Sequence, residues 1–325
     1  MGVTASAPAK TVLFGEHFVV YGEPAIVLAI DMRARATAEL RQDQRIYINS
    51  VDLESSGFFA GRDFQAERGG QEARMKLEPT RIAVQRVLDL SERKLGVSVE
   101  IRSSIPVAAG LGSSAAVVTA VAAAVSRLLG VRLSQEEIFK IAYEAETLVH
   151  STPSGIDPAV STYGGALLFD RSRGLKPLNV EANIPLVIGN TGIERSTGEL
   201  VSTVRKIREQ YPSIINPIMK IGGQTTSSAV EALKEGNLHA LGELMNINHA
   251  LLYAIGVSNE SLERLVYAAR KAGALGAKLT GIGSRGCMIA LSHQDKTEMI
   301  MNAIKSAGGS AFLARITNDG VKIER

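Results

Sequence analysis

The run Pro106 to Ala116, PVAAGLGSSAA, constrains this chain more than any other feature: a glycine-bearing loop opens directly into an apolar stretch that continues to Val125. The first N–H groups of a helix have no intrahelical acceptor and lie at the positive end of its dipole. Gly110 and Gly112 let the backbone approach an anion with no Cβ in the way. The segment therefore predicts a phosphate-binding loop at the start of a buried helix over Ser113 to Leu129. Ser113 and Ser114 fall at its N-cap or first turn. A hydroxyl there can also ligand Mg²⁺, a hard cation that prefers oxygen and takes few donors from protein. Nucleotide and metal together are the first expectation.

Two other readings compete at this point. GLGSSA also satisfies G-x-G-x-x-A, the dinucleotide fingerprint, which belongs to a first βα turn with an acidic residue about 20 positions later at the end of a second strand. Here the loop begins after residue 100, and Glu136 and Glu137 fall inside the next helical pattern, SQEEIFKIAYEAE. A plain helix cap without a ligand is the other reading. No G-x-x-x-x-G-K-[ST] occurs, so the loop is not of the Walker type.

Composition narrows the classes. At 325 residues, 45% hydrophobic and 21% charged, the chain has the profile of a globular protein with room for two cores. A net charge of +3 on scattered basic residues is weak for a nucleic-acid binder, and the absence of Trp gives no stacking platform. Small anionic ligands suit it better. The single cysteine, Cys287, excludes an intrachain disulfide framework and a structural zinc site of its own. No secretory signal or membrane span is visible, since Lys10 and Glu16 precede any long apolar run and the longest such run ends at Ser126 and Arg127. The expected location is the cytoplasm.

Short β-rich runs at 11–14, 25–29, 34–40 and 45–48 predict a meander or mixed sheet. The polar stretch from Ser55 to Glu72 reads as a loop, Thr80 to Lys94 as a helix, and Val97 to Ile101 as the strand feeding the glycine loop. A further helix over Ser134 to Val149 is announced by the capping box Ser134 to Glu137. Composition resets near residue 181, which divides the chain into 1–181 and 182–325. The second part begins with a strand at Pro185 to Ile188, passes through helices between Thr197 and Ala272, and closes with strand, helix, strand and strand. The class expected is α+β, with helices on one face of a sheet.

Three more segments carry chemistry. In SAPAKTVLFGEHFVVYGEPA, Lys10 precedes an apolar strand and Glu16-His17 follow it at a glycine. In EAETLVHSTPSGIDPAV, Glu146 lies about one turn before a helix end, and Asp157 is expected in a loop before Pro158. GAKLTGIGSRGCMIAL reads as strand, glycine turn, strand. A phosphate loop, a hydroxyl, two carboxylates and a lysine are the parts needed to move a γ-phosphoryl group: anion clamps, Mg²⁺ and a base near the accepting hydroxyl.

These segments together resemble the signature motifs of the kinase superfamily that includes galactokinase, homoserine kinase, mevalonate kinase and phosphomevalonate kinase. GEHFVVYGEPA and NTGIERST, at Asn190 to Thr197, are similar to the mevalonate kinase branch in particular. The resemblance implies a ribosomal-protein-S5-like N-terminal domain that binds the nucleotide, a ferredoxin-like C-terminal domain, and a cleft between them. It implies ATP-dependent phosphorylation of the 5-hydroxyl of mevalonate, or, in a sibling kinase, of another small alcohol or of phosphomevalonate. Asp157 matches the catalytic aspartate and Lys10 the lysine beside it. Ser114 and Glu146 match Mg²⁺ ligands, Ser103 with Gly110, Leu111, Gly112 and Ser113 match nucleotide-phosphate contacts, and Glu16, His17 and Thr191 match the mevalonate pocket. A homodimer is a common state of such kinases. Ser284 and Arg285 stand where the family carries glycines, Ile282 where it carries alanine, and Ser151 where it carries glycine; Arg285 is expected to face the polyphosphate.

Overall fold

The computed structural model describes residues 2–61, 63–91, 95–106, 109–149, 154–180, 184–193, 197–281, 283 and 286–324. The 181/182 division, Ser151, Ile282, Ser284 and Arg285 lie outside the described residues or at their edge.

The chain starts with two long antiparallel strands, β1 (Val3–Phe14) and β2 (Ala25–Arg41), joined through a 3-10 turn at Phe18–Tyr21. Next come β3 (Ile46–Ser50), β4 (Ser55–Ala60), β5 (Asp63–Arg68), helix α1 (Glu72–Ser91) and β6 (Gly96–Ser103). Helices α2 (Ser113–Leu129), α3 (Gln135–Val149) and α4 (Ile156–Tyr163) follow, then β7 (Ala166–Asp170) and β8 (Gly174–Leu178). The remainder runs β9 (Pro185–Asn190), α5 (Thr197–Gln210), α6 (Pro212–Lys234), α7 (Leu238–Ala254), α8 (Glu260–Lys271), β10 (Gly276–Leu279), β11 (Cys287–Leu291), α9 (Thr297–Ser306), β12 (Ser310–Arg315) and β13 (Lys322–Ile323).

Among the described residues these strands form two sheets. The first has the order β13-β1-β2-β6-β3-β4-β5, with β7 also paired to β2 and β8 to β7; the second is β10-β11-β9-β12. All pairings are antiparallel except β3 with β6. This is the α+β fold expected.

Alternation on β1 and β2 places Ala5, Ala7 and Ala9 with Ala34, Ala36 and Ala38 in one fully buried cluster with α2. α2 presents Ala116, Ala120, Val121, Ala123 and Ala124 to the same core. Small residues on both surfaces let helix and sheet approach closely, and close packing of this kind tolerates little change in volume. The β1–β2 register shifts between Pro8 and Ala9, whose partners are Arg33 and Ile30, so the two extra residues, Asp31 and Met32, lie on β2. Pro8, which cannot donate to the ladder, sits opposite this irregularity.

Several expectations change. The stretch 55–72 is a hairpin rather than a loop, because Phe59 and Phe64 bury their rings against each other at 4.6 Å and Gly57 leaves no Cβ to strike Phe64. The helix expected from Thr80 starts at Glu72 and runs through Pro79. Asp157 sits in the first turn of α4 and not in a loop; Pro158 is tolerated there because first-turn N–H groups have no intrahelical acceptor. The closing segment contains the β10-β11 pair read from GAKLTGIGSRGCMIAL, followed by α9, β12 and β13, so that the coarser order of strand, helix, strand and strand had counted this pair as one strand. The capping box is present, with Ser134 N donating to Glu137 Oε2 at 2.8 Å and Glu137 N to Ser134 Oγ at 3.3 Å. Among the described residues no helix is long and apolar enough to cross a membrane.

The last strand returns to the first sheet, pairing Ala5 with Ile323 and Ser6 with Lys322. Arg33, buried on β2, clamps this return. It donates to Ser6 Oγ (2.8 Å), Ser6 O (3.0 Å), Gly320 O (2.7 Å) and Asp319 O (3.2 Å). Replacing Arg33 by Leu leaves these acceptors unpaired in a buried place and is expected to lower the unfolding free energy by about 3 kcal/mol. Urea unfolding reads this directly, and a change near zero would show that the clamp holds nothing.

Candidate active site

β1 delivers Lys10 and α4 delivers Asp157, and their side chains meet in an ion pair of 3.0 Å. Ser161 on α4 donates to Pro8 O at 3.0 Å and fastens the helix to the strand. Lys10 N in turn donates to Leu111 O at 2.9 Å, which ties the strand to the glycine loop. The loop ends at Gly112, the N-cap of α2, with φ of 72°. A Cβ on Gly112 would lie 2.7 Å from Lys10 Cγ and 3.6 Å from Asp157 Oδ2. Glycine is therefore required twice over, by the backbone angle and by the lysine stem packed against it. Leu111 is buried, and Gly110 is exposed with φ of 72°.

Behind the pair lies Glu146, on α3. Gly112, Ser114, Glu146 and Asp157 line one small cavity of about 50 Å³. Glu146 Oε2 is buried and has no hydrogen-bond partner among the described residues. Burial, then the neighbouring Asp157 charge, push its carboxyl up to about 7, and only Lys10 opposes them. An acid placed so is short of a positive partner. Together with the Ser114 hydroxyl and the Asp157 carboxylate it forms an all-oxygen donor set, which fits a hard divalent cation that keeps most of its ligands from water and phosphate. Among the described residues no cluster of three or more His, Cys, Asp or Glu side chains forms a self-contained metal cage. A cation here would depend on the nucleotide for its remaining ligands.

A larger pocket of about 220 Å³ shares Ser114, Pro79 and Val118 with this cavity and is also lined by Ser103 and Ser113. Ser103 N donates to Asp52 Oδ2 at 2.6 Å, and its hydroxyl accepts from Ile105 N at 3.1 Å. Asp52, Lys76 and Thr80 are among the other polar residues of its lining. Sequence reasoning missed all three, because nothing local marks a residue in a hairpin turn or on a helix face as lining a distant loop.

Glu16 and His17 occupy the corner after β1, and both are buried. His17 has φ of 58°, a conformation that side chains rarely adopt outside special sites. The corner is pinned from α6, where Gly222 lets the Phe18 ring lie against the helix backbone. Glu16 is completely sealed, and its Oε1 is held by Lys278 of β10, a residue that the sequence reading left without a role. Thr191 lies at the end of β9, next to the third glycine segment. Its N donates to Gly286 O at 2.9 Å and its Oγ1 accepts from Ile193 N at 3.2 Å. Among the described residues these hydrogen bonds tie Thr191 to Gly286 of that segment and to Ile193 of its own loop, and not to Lys10 or Asp157.

Family models match this chain at residues 81–165, as the GHMP kinases N terminal domain, and at 229–310, as the GHMP kinases C terminal domain. The chain belongs to the GHMP kinases, and within them to the mevalonate kinase family. It is 46% identical to the mevalonate kinase of Thermococcus sibiricus over 100% of this chain and 99% of that protein. It is 46% identical to that of Pyrococcus horikoshii over 99% of this chain and 98% of the relative. Among solved structures, the L. major mevalonate kinase in complex with R-mevalonate superposes with a TM-score of 0.83 at 31% identity, covering 97% of this chain and 96% of that one.

The raised pKa of Glu146 has a measurable consequence. A carboxyl whose folded-state pKa lies above its unfolded value binds its proton more tightly in the folded state, so stability falls as pH climbs from about 4.5 through about 7. Glu146→Gln carries no such charge. Without metal or nucleotide the variant is expected to melt a few degrees above the parent at about pH 8, with the gap closing towards about pH 4.5. A gap independent of pH would show that Glu146 is not held in this uncompensated state.

Proposed function

We propose that this kinase transfers the γ-phosphoryl group of ATP to the 5-hydroxyl of mevalonate. The observation that carries the reading is the Lys10–Asp157 ion pair, lodged against Gly112 at the N-terminus of α2. The acceptor is named from the relatives, since mevalonate kinases match over essentially the full chain and one was solved with R-mevalonate.

The triphosphate lies along Gly110 to Ser113, where free N–H groups and the helix dipole favour an anion, with the nucleoside in the pocket lined by Ser103. The acceptor hydroxyl lies between Asp157 and the γ-phosphorus. Its oxygen forms the new bond to phosphorus, the bond from phosphorus to the bridging oxygen breaks and ADP leaves, and the hydroxyl proton passes to the Asp157 carboxylate. Lys10 stays beside both oxygens and offsets the negative charge that builds on them. Ser114 and Glu146 would hold Mg²⁺, which when bound would neutralise charge on the phosphate oxygens. Glu16, His17 and Thr191 line the acceptor side.

The division of labour follows the chain: 1–181 binds the nucleotide, and 182–325 closes the acceptor side through Thr191 and β10. Substrates that are small, charged solutes fit a cytoplasmic enzyme.

The test is ADP release with Mg-ATP and a panel of mevalonate, 5-phosphomevalonate, homoserine and galactose, with the product identified by NMR. Turnover on mevalonate with phosphate on the 5-oxygen is expected. Activity on another acceptor alone would assign the chain to a sibling kinase. Asp157→Asn is expected to lower kcat by about 10²- to 10⁴-fold with ATP affinity little changed, and near-normal turnover in that variant would remove Asp157 from its role.

A further inference from the structure

At the end of α2 far from the glycine loop, the chain forms a further cavity of about 270 Å³. One wall is the turn from α2 into α3, and the other is β13, the edge strand of the first sheet. Arg127, in the last turn of α2, stands about 20 Å along the helix from its N-cap Gly112. The cavity shares no residue with the two pockets around Ser114.

Both walls are fixed. Gly130 caps α2 in the left-handed conformation, where its N donates to Arg127 O at 3.3 Å and Val131 N donates to Ser126 O at 2.9 Å. Those carbonyls are satisfied within the cap, which screens the negative end of the helix from an incoming anion. On the other side Val321 N donates to Thr162 O at 3.1 Å and Glu324 N to Thr4 O at 2.8 Å. Arg33 holds Asp319 O and Gly320 O, so the chain entering β13 is pinned as well. The cavity is pre-formed, as small-molecule sites commonly are.

Its surface has two characters. Val131, Leu133, Ile138, Val321 and Ile323 supply an apolar floor, and Arg127, Arg132 and Lys322 supply positive charge. The acids carried by the same segments are already engaged. Glu136 pairs with Lys140 at 2.7 Å, Glu137 accepts from Ser134, Asp319 pairs with Lys322 at 2.8 Å, and Glu324 accepts from Ser6. Arg127 and Arg132 are both exposed, and among the described residues neither side chain has an ion pair or a hydrogen bond. Two guanidiniums thus border an apolar cavity with no acid of the protein left to meet them.

We propose that this cavity is a ligand site separate from the nucleotide pocket, and that it takes a phosphate monoester carrying a short aliphatic chain. Arg127 and Arg132 hold the phosphate, whose double charge and several oxygens suit two forked donors better than a single carboxylate does. The chain lies on the floor between Val131 and Ile323. At roughly 30 Å³ for a water-sized group, the volume admits about six to eight carbons. An alcohol of that length lacks the charge, and inorganic phosphate lacks the apolar half. The site does not depend on the acceptor assigned above.

The experiment is calorimetric titration of the full chain with hexyl phosphate at saturating Mg-ADP, which keeps the alkyl phosphate out of the glycine loop. Affinity is expected to rise about fourfold per methylene from butyl to hexyl phosphate. It is expected to fall about tenfold in Arg127→Gln and in Arg132→Gln, with kcat and the KM for ATP within about twofold of wild type in both. Absence of binding up to about 10 mM overturns the proposal, as does unchanged affinity in both arginine variants. Inorganic phosphate bound as well as hexyl phosphate would mean an adventitious ion only, and hexanol bound as well would mean a groove that reads no charge; either result overturns it. Hexanoate bound as tightly overturns the choice of headgroup. A wild type that takes up no Mg-ADP counts against the kinase reading and not against this site, which the arginine variants then decide alone.

Discussion

Everything at the site depends on the ammonium of Lys10 being held 3.0 Å from Asp157, and that depends on a residue with no side chain. Gly112 caps α2 at φ of 72°, and the lysine stem occupies the space a Cβ would fill. Strand, loop and two helices converge on one point. β1 brings Lys10, its amide is tied to Leu111 O, and α4 is tied to Pro8 O through Ser161. Charges brought this close and mostly shielded from water interact far more strongly than surface pairs. The alanine-rich contact between α2 and the first two strands lets the helix N-terminus come near enough to take part.

The electrostatics of the corner alternate. Lys278 meets Glu16, Glu16 feels Lys10, Lys10 meets Asp157, and Asp157 presses on Glu146. The row ends on Glu146, whose carboxyl burial and Asp157 push up to about 7 against Lys10 alone; under the proposed function a metal-bound nucleotide would supply the further positive charge there. Such an arrangement carries instability when empty and relieves it on binding, so function and stability pull against each other at Glu146. The other end is closed by β10, so strands from both sheets hold the same row of charges.

The glycine loop, the helix it opens, the capping box at Ser134 and the α+β order were legible because each rests on local chemistry: glycine freedom, orphan N–H groups and side-chain periodicity. The hairpin at β4 and β5 was not. Its strands carry polar residues on one face and owe their existence to Phe59 and Phe64 packing across the turn. Asp157 was found by its motif but misplaced, since Pro158 marks a helix start as readily as a loop. Lys278 was passed over because a lysine in a short apolar strand gives no sign of whether it points out to solvent or inward to a carboxylate 262 residues away. That pairing is a property of two segments meeting, and no local pattern encodes it.

The most direct test of the central claim is a crystal structure with a non-hydrolysable ATP analogue and mevalonate bound together. The account predicts the 5-hydroxyl oxygen within hydrogen-bond reach of Asp157, in line with the γ-phosphorus, with Lys10 beside it and the triphosphate along Gly110 to Ser113. A hydroxyl directed away from Asp157, or a triphosphate lying elsewhere than on the N-terminus of α2, would contradict it.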